Sequence, residues 1–271
     1  MKLNTPTRRL AASLLVLILP NLGAADFLDC VIEPKAIINL VVSEKGRIVD
    51  ITVARGATVS KGQVLVQLED DAQQLQVETA RVRMNSVLEI RAAEIRLAQR
   101  EKDVGRAQAL AERQAGAVAK LEQATIEMEL TKLTLEQARL SHALSKIEYE
   151  QAKLMLFRRT VLSPTDGVVM SVDIAPGAFA SEQVTIMSIA VINPLHVEVF
   201  APAKYYGHIA VGDVFDIIQE PPLTGIFPAM VNVVDKVFDA ASSTFGIQLA
   251  IENYDGTIPA GTRCQIDMKL N

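Results

Sequence analysis

The chain has 271 residues, with 27 Lys and Arg against 32 Asp and Glu, three His, two Cys and no Trp. That length accommodates two or three small domains with cores of their own. A formal charge of −5 makes nucleic acid a poor partner, and none is assigned.

In chain order, Lys2, Arg8 and Arg9 precede an apolar run, Leu10 to Leu22, broken by Pro20 and followed by Gly23, Ala24 and Ala25. A basic region, a short apolar region and a small-residue site are the parts of a secretory signal peptide, too short for a comfortable membrane span. Residues 1–25 are read as that signal, with cleavage after Ala25. Cleavage would remove three of the 27 basic residues and no acidic one, leaving 24 against 32, a net of −8. No second apolar stretch is long enough to cross a bilayer. Leu28-Asp29 before Cys30 argues against a lipid anchor there, where processing wants a small residue. Cys30 and Cys264 form an even pair in a chain read as exported, which favours a disulfide.

Residues 26–45 read as one strand and its lead-in. A β-motif then occurs twice: GRIVDITVARG from Gly46 to Gly56, and GVVMSVDIAPG from Gly167 to Gly177, in register at an offset of 121. A fixed internal offset marks a structural repeat. In each copy a glycine opens an alternating strand (Ile48, Ile51, Val53; Val169, Val172, Ile174), and a second sits where a turn needs positive φ. Residues 46–70 and 159–191 are therefore two halves of one β-module.

Between them, residues 71–158 contain no proline, and their only glycines are Gly105 and Gly116. Good helix formers dominate, and Asp70-Asp71 suits a helix start. The segment reads as an antiparallel pair of helices turning near Gly116, each arm roughly 60 Å long at 1.5 Å per residue. In the second arm Ile126, Leu133, Leu140, Ile147 and Leu154 recur every seven residues. Leu121, Met128, Leu135, Tyr149 and Leu156 form an adjacent row broken by His142. Both rows are assigned to a coiled-coil seam, with Val77, Met84, Leu88 and Ile95 opposite. Arg158-Arg159 closes the second helix with the charge its end favours.

Residues 192–271 hold short β-like runs separated by Pro221-Pro222, Asn253 to Gly256 and Pro259 to Gly261, the pattern of a small β-barrel. Nothing in the sequence points to catalysis. His142, His196 and His208 lack metal-site spacing; no nucleophile elbow, P-loop or dinucleotide fingerprint appears. Asp70-Asp71 and Glu148/Glu150 read as a helix start and a solvated face. The methionines are dispersed and advertise no soft-metal transport. No catalytic, cofactor or metal residues are assigned.

The half-motifs, with KGQVLVQLE ending the first and SPTDGVV opening the second, together with PLHVEVFAPAKYYGHIAVGD and IPAGTRC, resemble periplasmic adaptor proteins. These are also called membrane fusion proteins, of the HlyD and resistance-nodulation-division pump type. The resemblance runs from about Cys30 to the end. It implies an elongated mixed α and β fold: a lipoyl-like (biotinyl/lipoyl) module interrupted by an α-hairpin, then a β-barrel to which the N-terminal strand contributes. It implies a non-enzymatic periplasmic subunit without cofactor, peripherally associated with the envelope membranes. Such a subunit assembles as a ring or funnel and links an inner-membrane transporter, of resistance-nodulation-division or ABC type, to an outer-membrane channel. In adaptors that meet the channel tip to tip, Arg, Leu four residues on and Ser seven beyond form a tip motif. Here Arg106 and Leu110 match, Ala117 replaces the serine, and the Gly116-Ala117-Val118 turn is followed by Ala119. The resemblance thus assigns Arg106, Leu110, Gly116, Ala117 and Val118 to a channel-docking tip, and Gly46, Gly56, Gly167 and Gly177 to the turns of the module. A further membrane-proximal domain found in many adaptors has no counterpart before Asn271. Two other readings compete: a lipoyl or biotinyl carrier, which lacks the lysine-bearing turn between its half-motifs, and a coiled-coil scaffold without a transport role, which leaves the repeat unexplained.

Overall fold

A computed structural model describes residues 27–113 and 117–268; the assigned cleavage point after Ala25, and Gly116, lie outside them. The chain forms two compact units. One comprises 34–195 with 253–258, the other the described parts of 1–33, 196–252 and 259–271.

In the first unit the repeat becomes β2 (Gly46–Ile51), β3 (Thr58–Val59) and β4 (Val64–Leu68), and, in the second half, β6 (Gly167–Val172), β7 (Phe179–Ala180) and the first part of β8 (Met187–Pro202). The halves exchange strands. β2 pairs with β7, placing Gly46 opposite Ala180, and β3 pairs with β6, placing Val59 opposite Gly167. The exchange is repeated in the turns: Gly56 N–H donates to Val169 O at 2.8 Å, and Gly177 N–H donates to Ile48 O at 2.8 Å. Neither half can satisfy its own edges, so each supplies hydrogen bonds that the other lacks. Ile48, Leu65, Leu68, Val169, Met187 and Ile189 are buried in the common core.

The four repeat glycines divide into two kinds. Gly56 (φ 86°) and Gly177 (φ 88°) take the left-handed turn conformation expected of them. Gly46 and Gly167 are not turn residues: they open β2 and β6 and are buried. A Cβ on Gly167 would collide with the carbonyl of Ala190 and lie 2.8 Å from Ile189 Cγ2, so close strand approach, not positive φ, requires glycine there.

β4 leads through Glu69-Asp70 into the hairpin, and Arg158-Arg159 lead out to β5 (Thr160–Leu162), which pairs with β4. The first arm is two helices, α1 (Asp71–Asn85) and α2 (Leu88–Ala111), and the second is one, α3 (Val118–Phe157). At 40 residues α3 is about 60 Å long. At the root, Arg158 pairs with Glu44 at 3.3 Å and Arg159 donates to Lys45 O at 3.0 Å, while Asp70 accepts from Gln74 Nε2 at 2.8 Å.

The seam differs from the expected one. Leu135 is buried and Leu121, Met128, His142, Tyr149 and Leu156 are half-buried, but Ile126, Leu133, Leu140, Ile147 and Leu154 are between 49% and 62% exposed. On the first arm Val77 and Met84 are half-buried, whereas Leu88 and Ile95 are both 72% exposed. The arms meet through small residues, Ala80, Ala93, Ala138 and Ala152, with Leu135 packed among Ala93 and Ala138. Alanine permits close helix approach, and the larger aliphatic row, two positions away, turns about 160° from the seam.

In the second unit, the strand order is β1 (Phe27–Leu40, by its first half), β12 (Thr262–Asp267), β9 (Val214–Gln219), β10 (Ile226–Asp239), β11 (Thr244–Ile251) and the end of β8. Val197, Val199, Ile217, Phe245, Leu249 and Ile266 are buried on alternating positions. Cys30 lies directly opposite Cys264 in the β1–β12 ladder, Cα atoms 4.9 Å apart, and the two are disulfide-bonded.

Candidate partner-docking site

The described ends of the two arms bring Arg106, Leu110, Ala117 and Val118 to one end of the hairpin, α2 closing at Ala111 and α3 opening at Val118. Leu110 (38%) and Val118 (50%) are exposed aliphatics beside the turn. Ala117 is buried and offers little surface to a partner. Arg106 is bonded to Asp103, itself within 3.6 Å of Arg100. Arg100 also reaches across the arms to Glu127 Oε2 at 3.0 Å. The guanidinium of Arg106 is thus oriented by a neighbour, as an exposed i,i+3 pair of modest strength.

A second feature lies in the root-side half of the hairpin, after the 15 residues of α1 and before the 24 of α2. Between Asn85 and Leu88 the first arm breaks, though neither proline nor glycine is present. The break deprives the Met84 carbonyl of its i+4 donor, and His142 Nε2 lies 2.8 Å from it. A carbonyl only accepts, so Nε2 carries the hydrogen. Sequence reading placed His142 as an interruption of a seam row; its role as a cap needed the break, which nothing in the local composition announces.

Elsewhere the charges of the hairpin form exposed pairs, Glu94 with Arg139 across the arms at 3.5 Å and the others along one helix. The hydrogen-bonded Arg81 guanidinium, at 2.7 and 2.9 Å, holds the Glu78 carboxyl below its ordinary range and is itself raised. Hydrogen bonding to Glu150 likewise raises the Lys153 ammonium. Such pairs lie on a solvated face. Among the described residues no cluster of three or more His, Cys, Asp and Glu is placed to hold a metal, and no helix is long and apolar enough to cross a membrane.

The sequence model of the YknX barrel-sandwich hybrid domain matches residues 40–190, more than half of the chain and spanning both half-motifs with the hairpin between them. The chain belongs to the membrane fusion protein, or periplasmic adaptor, family. Similar solved structures include a MacA–MexA chimera carrying the α-hairpin of Pseudomonas aeruginosa MexA, at 18% identity, TM-score 0.62, over 91% of this chain and 81% of the chimera. The membrane fusion protein Spr0693 of Streptococcus pneumoniae R6 is similar at 18% identity, TM-score 0.59, over 89% of this chain and all of that one. MacA of Actinobacillus actinomycetemcomitans is similar at 16% identity, TM-score 0.53, over 89% and 76%. At these identities the likeness concerns the fold. No curated protein matches the chain by sequence. In this adaptor, the position where a carrier domain would present a modified turn, between β4 and β5, is occupied by the hairpin.

Proposed function

We propose that this adaptor joins an inner-membrane transporter to an outer-membrane channel in an efflux or secretion assembly, acting as a ring of copies in the periplasm and catalysing no reaction. The observation that carries the reading is the interrupted repeat: two half-modules that complete each other only by exchanging β3 and β7, with an ~60 Å hairpin inserted between them. A rod anchored at its root in a compact module transmits position, not chemistry. Its far end, with Leu110, Val118 and the oriented Arg106, is the part best placed to meet a second hairpin. Ala117, where tip-to-tip adaptors carry serine, contributes backbone and packing only. The transporter partner is of resistance-nodulation-division or ABC type.

Photo-crosslinking from Val118 in living cells tests the reading. Adducts with an outer-membrane protein are expected; adducts confined to inner-membrane proteins or to other copies would overturn the tip as the channel-facing end.

A further inference from the structure

The second unit is completed by a strand that it holds weakly. β1 is shared between the units: Phe27 to Glu33 belong to the second and Pro34 to Leu40 to the first. Pro34, which has no N–H to give to a ladder, stands at the division. Beyond it the strand is anchored in the core of the β-module by Leu40, whose carbonyl accepts from Ile186 N–H at 2.8 Å, and by Asn39, whose Oδ1 accepts from Ser188 Oγ at 2.9 Å. Before it the anchorage is thin. Ile32 and Cys30 are buried and Leu28 is half-buried, whereas Phe27, Asp29, Val31 and Glu33 are exposed. β11, by comparison, buries Phe245, Ile247, Leu249 and Ile251. Burial of apolar side chains is what holds a strand to its sheet beyond hydrogen bonds that water can replace. The segment Phe27 to Glu33 therefore depends on its backbone ladder and on one covalent tie.

That tie is set into the ladder itself. Phe27 to Ile32 pair with Asp267 to Thr262, and the disulfide joins Cys30 to the residue directly opposite, Cys264. The other edge of β12 is taken by β9, with Cys264 opposite Gln219 and Ile266 opposite Ile217. Removing β1 would thus leave one edge of β12 with a row of unpaired N–H and C=O groups, an open template for another extended segment. β1 is the first described strand and β12 the last, and the two cysteines are 234 residues apart. No ladder between them can form until the rest of the unit has been made, so this pairing closes last and opens first.

We propose that the Cys30–Cys264 disulfide is a redox latch on a detachable strand. Oxidised, it keeps Phe27 to Glu33 in the sheet; opened, it lets that segment leave as far as Pro34, and the bared edge of β12 accepts an extended segment of the same sequence by strand addition. Opening is a thiol–disulfide exchange: a dithiol reductant passes two electrons and two protons to the two sulfurs, leaving two thiols on the protein and a disulfide on the reductant. Closing runs the same exchange backwards with a disulfide oxidant. Because both sulfurs are buried, at 4% and 0% exposure, a reductant reaches them through fraying from Phe27 and not through the closed ladder. The latch takes its oxidising surroundings from the periplasmic reading, while its geometry rests on the strands alone.

Amide hydrogen exchange on the purified full chain tests the latch, with the protein oxidised, reduced by a dithiol, or carrying Cys30→Ala with Cys264→Ala. Amides of Leu28 to Ile32 and of Thr262 to Ile266 are expected to exchange at least about tenfold faster in both open forms, with a smaller change in β11 and none at Leu135 of the hairpin. The bared edge is read with a fluorescent peptide of residues 27–33 carrying Cys30→Ser, added to full-length protein carrying Ile32→Ala, which loosens the tethered copy of the strand. Binding is expected to be at least about tenfold tighter to the reduced than to the oxidised protein, and to be lost when the peptide also carries Ile32→Asp. Unchanged exchange in β1 on reduction, acceleration as large in β11 as in β1, or peptide binding that is the same in both redox states would each overturn the proposal. None of these measurements involves a transporter or a channel, so failure here leaves the adaptor reading standing and failure of that reading leaves this result intact.

Discussion

Leu135 of α3 is 6% exposed and packed among Ala93 and Ala138, whereas Leu140, five residues further along the same helix, is 62% exposed. The two leucines therefore answer differently to the same change. Leu135→Asp buries an unpaired carboxylate between the arms and should cost more than about 3 kcal/mol, melting the hairpin. Leu140→Asp should leave the stability of dilute protein within about 0.5 kcal/mol, as surface substitutions do. Thermal melts followed by helical circular dichroism distinguish them; equal losses would return Leu140 to the seam.

The same pair shows what could be read from the chain. The strand exchange was legible because Gly46 to Gly56 and Gly167 to Gly177 repeat at one offset, and a half-module with unsatisfied edges needs its twin. The helical arms were legible from composition and from the absence of proline. Which row formed the seam was not, since a seven-residue row of large side chains specifies a packing face without naming the partner, and alanines at Ala80, Ala93, Ala138 and Ala152 leave little trace in a hydrophobic pattern. The break at Ser86-Val87 was also hidden: its residues continue a helix well enough, and the cap supplied by His142 comes from the other arm. At the tip, Arg106 and Leu110 could be picked out only by resemblance, because an exposed arginine and a half-exposed leucine near a helix end have no periodicity of their own.

The glycines provide a second contrast. Gly167→Ala should destabilise the β-module by about 2 kcal/mol or more, because the added methyl meets the Ala190 backbone where no rotamer can relieve it. Gly105→Ala, in α2 with nothing within 4 Å of the new atom, should stabilise by up to about 1 kcal/mol. Denaturant midpoints at constant m-value measure both. A neutral Gly167→Ala would mean that β6 and β8 can part without cost.

Cys30 and Cys264 should be unreactive to thiol labelling in the oxidised protein until it is reduced. The bond joins residues 234 apart in sequence, so the chain-entropy model assigns it roughly 5 kcal/mol, an upper figure. Reduction should lower the melting temperature of the β1–β12 unit and leave the helical transition of the hairpin in place. Two titratable thiols in protein isolated without reductant would remove this element.

His142→Leu keeps the bulk at the break and removes the donor to Met84 O. The freed carbonyl should cost about 1 kcal/mol, expressed locally as faster amide exchange around Ser86 and Val87, with little change at Ala93 or Leu135. His142→Gln, which can donate from its amide, should recover part of the protection. Unchanged exchange in His142→Leu would show that water caps the carbonyl equally well.

At the far end of the hairpin, Leu110→Asp should abolish transport while expression and the β-module stay intact, because an exposed aliphatic beside the turn contributes little to a core tens of ångströms away and much to a surface that must shed water on docking. Arg106→Glu should weaken docking less. Its side chain is 66% exposed and already paired with Asp103, so the reversal costs a solvent-screened contact and places a second negative charge beside the first. Gly116→Pro, at the residue between the two arms, belongs to the same test. Export should be measured together with crosslinking to the outer-membrane component. Wild-type levels of both in all three variants would move the docking surface off the tip, and loss of export with crosslinking retained would separate docking from channel opening.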